Sequence, residues 1–300
     1  MKSLLSHVKK GSVATVAGLL LVININPAFA GDPFRTSNPR SISDNTEAAF
    51  EAMFKDGNYN EARTILGQVG NDADPLAYAL MASLAYTNEE WEEVKRAADQ
   101  TTAAAQRIGD DDPLRRELYL AVGHFLEGSY LYQVRGPFQV MRKVQQVFHH
   151  LDAAERHDSS DPELNLVKGY MDLMLAVNLP FINIDSAIAQ FQNNAAPSYL
   201  VDRGLAVAYR DLERYDRAHD AVKKAISATP DNPEIHYLKG QILYHRGQEA
   251  KDTDLLQKAV KHFDEAIARS DQLPESVSGP FERERRLAQE LLEEYQTAQR

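Results

Sequence analysis

Nine histidines, 44 carboxylates and no cysteine define the chemistry open to this 300-residue chain. Without cysteine there is no thiol nucleophile, thiolate zinc site, iron–sulfur cluster or disulfide. The densest group of possible metal ligands is His149, His150 and His157 with Asp152, Glu155 and Asp158. A helical metal site needs its imidazoles on one face, as in His-Glu-x-x-His, whereas adjacent His149 and His150 point to different sides of a helix. That cluster reads as structural surface. The acidic runs Asn71-Asp72-Ala73-Asp74 and Asp110-Asp111-Asp112 lack the glycine and closing Glu of a calcium loop. Each leads into a proline, so the residues read as helix caps that accept hydrogen bonds from free N–H groups. No Gly-rich phosphate loop or Gly-x-Ser-x-Gly elbow occurs. The expectation is a protein that is not an enzyme, with no catalytic residue, metal or cofactor; an all-helical hydrolase working through paired carboxylates is kept as an alternative.

The first thirty residues form a separate segment. Lys2, Lys9 and Lys10 precede an apolar run from Val13 to Ile25, too short to span a bilayer comfortably. Ala28 and Ala30 place small residues where a signal peptidase requires them, and Gly31 would be the new N terminus. Residues 1–30 therefore read as a signal peptide. The expected product is exported, with no stable membrane anchor after processing. Removing three of the 33 Lys and Arg and none of the 44 acids takes the formal charge from −11 to −14. That balance opposes nucleic acid and anionic lipid as general partners, because non-specific binding to either relies on excess Lys and Arg. Lys223-Lys224 and Arg283 to Arg286 are diluted by acids and form no basic stripe.

Residues 31–45 have no apolar period and read as a flexible lead-in. From Thr46 onward apolar residues recur at spacings of three and four, which predicts an all-α protein. Proline and glycine punctuate the chain at Asp74-Pro75, Asp112-Pro113, Gly136-Pro137, Asp161-Pro162, Ala196-Pro197, Pro230 to Pro233 and Gly279-Pro280, leaving room for helix pairs. The pairs repeat. Pro162-Glu163-Leu164-Asn165-Leu166-Val167-Lys168-Gly169 returns as Pro233-Glu234-Ile235-His236-Tyr237-Leu238-Lys239-Gly240, about two units of 34 residues later. Small and large residues also alternate at helix crossings, as in Ala218, Val222 and Ala225, then Ala259, Phe263 and Ala266. Closely crossing helices need a small residue on one side and a large one to fill the gap beside it.

These features resemble the tetratricopeptide repeat (TPR) family, most clearly over Tyr199 to Pro230 and again over Asp44 to Val69, with Gly57-Asn58-Tyr59 at the turn. The resemblance implies a right-handed superhelix of antiparallel helix pairs. It divides residues 46–270 into about six units, near 46–70, 76–106, 114–157, 162–194, 198–228 and 233–270. Residues 271–300 supply a linker and a C-terminal capping helix. The third unit carries roughly a dozen extra residues before Ala154. The lead sequence, Thr46-Glu47-Ala48-Ala49-Phe50 and Val201-Asp202-Arg203-Gly204 are similar to exported TPR proteins of cyanobacteria, which implies a periplasmic or thylakoid-lumen setting.

The family places its ligands on the concave face, built mainly from first helices. On that basis the candidate partner-binding residues are Leu166, Tyr170, Leu173 and Met174, then Arg203, Val207 and Arg210, then Tyr237, Gln241, Tyr244 and His245. An aromatic and apolar surface with two arginines suits an extended peptide or a helix; the same residues also suit packing against the neighbouring unit. The Asn of a carboxylate clamp are missing. The apolar segment Asn178 to Ile184 either reaches a partner or closes the local core. The leading reading is a non-enzymatic protein-protein interaction scaffold that binds a protein segment during assembly of envelope or membrane complexes. A structural envelope protein that self-associates into a homo-oligomer is the second reading.

Overall fold

The computed structural model describes residues 31–70, 74–178 and 184–298. The expected signal segment with Ala28 and Ala30, and residues 179–183 of the apolar segment, lie outside the described residues. Among the described residues there are helices and no strands. Helices come in pairs: α1 (Asp44–Phe54) with α2 (Tyr59–Leu66), α3 (Pro75–Thr87) with α4 (Trp91–Ile108), and α5 (Pro113–Arg135) with α6 (Met141–His157). Next come α7 (Pro162–Asn178) with α8 (Ile184–Asn194), α9 (Ser198–Asp211) with α10 (Tyr215–Ala228), and α11 (Pro233–Ala250) with α12 (Thr253–Ile267). A short α13 (Glu275–Ser278) leads to the terminal α14 (Pro280–Ala298). The architecture is an all-α solenoid of stacked helix pairs.

The punctuation works through caps. Asp74, Asp112 and Asn232 each accept a hydrogen bond from an N–H of the helix they precede, and Pro75, Pro113 and Pro233 occupy the first position, where a missing donor costs nothing. Asp161 does the same for α7 through the Leu164 N–H at 2.9 Å. Behind the caps, the α7–α8 and α11–α12 crossings are each set by a glycine facing a ring. A Cβ on Gly169 would lie 2.1 Å from the Phe191 ring, and one on Gly240 would lie 2.8 Å from the Phe263 ring. The two repeated Lys-Gly positions thus admit the phenylalanines of α8 and α12.

The solenoid closes on itself. The α1–α2 turn meets the start of α11, where the Asn232 side chain donates to the Phe54 and Lys55 carbonyls at 3.2 and 3.3 Å. Gly57 makes this possible twice over: its φ is +67°, and a Cβ there would fall 2.7 Å from Asn232 and 2.8 Å from Pro233. The Tyr59 hydroxyl donates to Glu234 at 2.9 Å, Glu234 pairs with Arg203, and Asn60 donates to the Asp271 carbonyl at 2.7 Å. Phe281, Ala288 and Leu292 bury one face of α14 against the last pair. Among the described residues no helix is long and apolar enough to cross a membrane.

Candidate protein-binding face

The first helices of five successive pairs converge on an apolar cavity of about 540 Å³. Its walls carry Phe50 and Phe54 from α1, Leu76 and Leu80 from α3, and Tyr119, Val122, Phe125 and Leu126 from α5. Leu166, Tyr170 and Met171 come from α7, and Leu200 and Arg203 from α9. The volume lies in the range of clefts that take a small organic ligand or one or two side chains. Phe125 stands at the mouth, with nearly half its surface exposed.

The lead-in has no helix before α1 begins at Asp44, two residues inside its expected end, and it is docked on this face. Phe34 lies on the cavity wall with its ring edge-on to Phe50 at 5.2 Å, and Ile42 is fully buried. Two isolated apolar residues give no periodic signal, but each fills one site in the solenoid. The Gly31 N–H donates to Glu47 at 2.6 Å, while Asp32 folds the arm by accepting from the Phe34 and Arg40 N–H groups.

The arm's arginines bind the caps of two first helices, α5 and α7, in a carboxylate network that Arg115 extends to the cap of α3. Arg35 pairs with Asp161 and Asp32; Arg40 meets Asp112 at 2.6 Å and Glu163 at 2.7 Å. Arg115, on α5, pairs with Asp74 at 2.7 Å, and the Tyr119 hydroxyl donates to Glu163 at 2.5 Å. The Asp-Pro punctuation therefore does two jobs: Asp74, Asp112 and Asp161 cap α3, α5 and α7 and also form a ladder of carboxylates along the rim. Burial opposes the charged forms of Arg35 and Arg115, but the carboxylates, Glu163 foremost, more than offset it, so both hold their protons more tightly than a free guanidinium. Asp112 is held below the usual carboxylate range: burial would raise it, but the Arg115 N–H and the Arg40 guanidinium together lower it. Burial and the adjacent Glu163 push the Tyr119 hydroxyl well above its ordinary value.

The residues named from sequence fall into three groups. Leu166, Tyr170 and Arg203 reach the cavity; the Tyr170 hydroxyl donates to the Leu200 carbonyl at 2.7 Å, and burial raises its pKa to about 12. Leu173 was placed on the open face and is instead buried, because α7 turns it into the core; Val207 packs half-buried against the same core. The side chain of Met174 lies outside the described residues. Of the remaining five, Tyr237 and Gln241 meet α14 and the other three pack around them or against α10. Tyr237 stacks on Phe281 at 4.3 Å, Arg210 donates to Gln241 at 2.6 Å, and Gln241 donates to Glu284 at 2.8 Å. His245 stacks on Tyr215 at 5.0 Å, with Tyr244 edge-on to it. The sequence reading missed Phe34, Arg35, Arg40, Glu163 and Phe125. The signal that could have found them is two arginines in the lead-in of an acidic chain whose acids recur before Pro at unit spacing.

Stacked helix pairs, a concave face built from first helices and glycine-on-ring crossings define a TPR-type solenoid. The tetratricopeptide repeat model matches residues 203–274, which hold most of α9 and all of α10, α11 and α12. No curated protein matches the chain.

Proposed function

We propose that the protein is an exported interaction scaffold, not an enzyme, and that its concave face takes an extended protein segment. TPR repeats generally mediate protein-protein interaction, and residues 203–274 match that family. The observation that carries the reading is the arm itself. A non-helical stretch of chain already lies on the face, with an aromatic ring on the apolar wall and two arginines on cap carboxylates. A partner segment with an aromatic side chain and a nearby cation matches the same chemistry. Phe125 at the cavity mouth offers it the first free contact. Export is supported by the basic-then-apolar start and by Ala28-Phe29-Ala30, which ends where the docked arm begins. The setting is the periplasm, with the thylakoid lumen as the alternative.

A photocrosslinking residue in place of Phe125 tests the face in intact cells. Adducts to one distinct protein are expected; adducts confined to this chain's own copies would favour the structural, self-associating reading. N-terminal sequencing of the accumulated protein tests export, and the expected first residue is Gly31.

A further inference from the structure

The net negative charge hides a local exception. No Asp or Glu occurs between Glu127 and Asp152, in a chain of formal charge −11. That stretch runs from the end of α5 through most of α6 and contains the tip of their hairpin, with a 3₁₀ turn at Pro137–Gln139 between the helices. Helix α5 outruns its neighbour α4: the Tyr130 hydroxyl lies 3.4 Å from Glu92 in the first turn of α4. Five more residues of α5 follow, which at 1.5 Å per residue carry the tip about 7 Å further.

At that tip the apolar groups face outward. Val140 and Lys143 of α6 pack beside Gly128 of α5, where a Cβ would make ordinary contact with them at 3.7 and 3.4 Å. With Val140 against α5, Phe138 is 92 % exposed and Met141 64 % exposed, and Val134 beside them is exposed as well. Val144 and Phe148 continue the exposed stripe from Met141 at helical spacing, on the flank of α6 that adjoins its buried Val147, Leu151 and Ala154. Arg135 and Arg142 flank the apex and pair with no acid among the described residues, while Lys143 meets Glu127 at 2.6 Å.

We propose that the α5–α6 hairpin tip is a peripheral membrane contact, in which Phe138 and Met141 enter the interface of an anionic bilayer and Arg135 and Arg142 meet its phosphates. The layering matches a bilayer surface: the Phe138 ring and the Met141 thioether at the apex, with guanidinium groups beside them at the last residue of α5 and the second of α6, on stems that can lie along the apolar groups. The shape is convex, suited to a deformable lipid interface. Glu92 lies by Tyr130 and Glu127 is taken by Lys143, so the apex carries two arginines without an acid partner despite the acidic whole. This contact is independent of the concave-face reading and needs no spanning helix.

The test places a fluorophore at the tip. Trp91 is the one tryptophan in the chain, so the full-length W91F/F138W protein reports on the apex alone. Titration with phosphatidylcholine vesicles containing phosphatidylglycerol should shift the emission to the blue and expose it to brominated-lipid quenching, with a much weaker response to phosphatidylcholine alone. Adding R135E/R142E should lower the apparent partition by about 25-fold or more, because each cation near an anionic surface contributes a factor of about five. Circular dichroism controls for folding, and both arginines are exposed enough to change without loss of core. Unshifted emission at saturating anionic vesicle would overturn the proposal and point to an apolar protein site instead; so would equal partition of the charge-reversed and parent proteins.

Discussion

The two halves of the solenoid solve the same packing problem differently. In the C-terminal half, residues 203–274 are regular enough to match the repeat model, and the inner face of α11 is spent on contacts with α14, through Tyr237 on Phe281 and Gln241 on Glu284. The N-terminal half departs from the pattern in length and content. It carries the overlong α5, the docked arm, the buried carboxylate network and most of the cavity wall. Regularity therefore marks the part that serves as a rigid frame, and departures mark where the chain has room to bind something. A buried charge network adds little net stability compared with apolar packing, so a face built this way trades stability for a specific set of contacts.

The sharpest break of that contrast is Glu163→Ala. Glu163 is fully buried and is shared by Arg35, Arg40 and the Tyr119 hydroxyl, with Arg115 close by. Removing it strands guanidinium groups in a poorly solvated site, and urea unfolding should register a loss of about 3–5 kcal/mol. Its repeat counterpart Glu234 holds one arginine and one tyrosine hydroxyl at a more open position. Glu234→Ala should cost clearly less. Equal losses would mean that the arm network contributes nothing special.

A smaller effect compares the two repeated glycines. Gly169→Ala drives a methyl onto Phe191, whose ring is also hemmed in by Gly204 and by Tyr170 at 5.2 Å. Gly240→Ala meets Phe263 at a longer distance, with Tyr237 at 5.8 Å. Overpacking of this kind costs about 1–3 kcal/mol. Thermal unfolding should place Gly169→Ala at the upper end and Gly240→Ala at the lower; the reverse order would show that Phe191 has freedom to move.

Fold class was legible in the sequence because its signals are local. A cap and a proline side by side, or a small residue four before a large one, fix a helix start or a crossing whatever lies elsewhere. The binding face was legible only in part. Leu166, Tyr170 and Arg203 follow from helix register, but α14 covering Tyr237 and Gln241 is a tertiary event. The arm was hidden for a stronger reason: Arg40 meets acids 72 and 123 residues away, and Phe34 has no periodic neighbour to mark it as buried. Periodicity reports faces of elements, and an extended segment held by a few long-range contacts has none.

The smallest contrast separates the halves by pH. In the C-terminal half, the His236 Nε2 lies 2.8 Å from the Pro230 carbonyl and donates to it, leaving Nδ1 to accept from His262 Nδ1 at 3.2 Å. Only one of the two facing nitrogens can carry a proton. Burial, then Lys239, His236, Lys261 and His219, brings the His262 pKa down to about 3. The unfolded chain therefore binds a proton there that the folded protein refuses between the ordinary histidine value and about 3, and stability must fall as pH falls through that window. One proton limits the slope to about 1.4 kcal/mol per pH unit, and partial exposure reduces it. In the N-terminal half the sign is the same but the window is lower: Asp112 is held below its ordinary value, so its contribution is complete above the normal carboxylate range and is lost only as pH drops beneath it. Urea midpoints taken from pH 7 to 5 should fall in the parent and flatten in His262→Gln, while Asp112→Asn should lower them evenly, keep the slope of that limb, and change the pH dependence only below about pH 4. A parent protein with a flat limb from pH 7 to 5 would mean that the histidine pair opens to solvent.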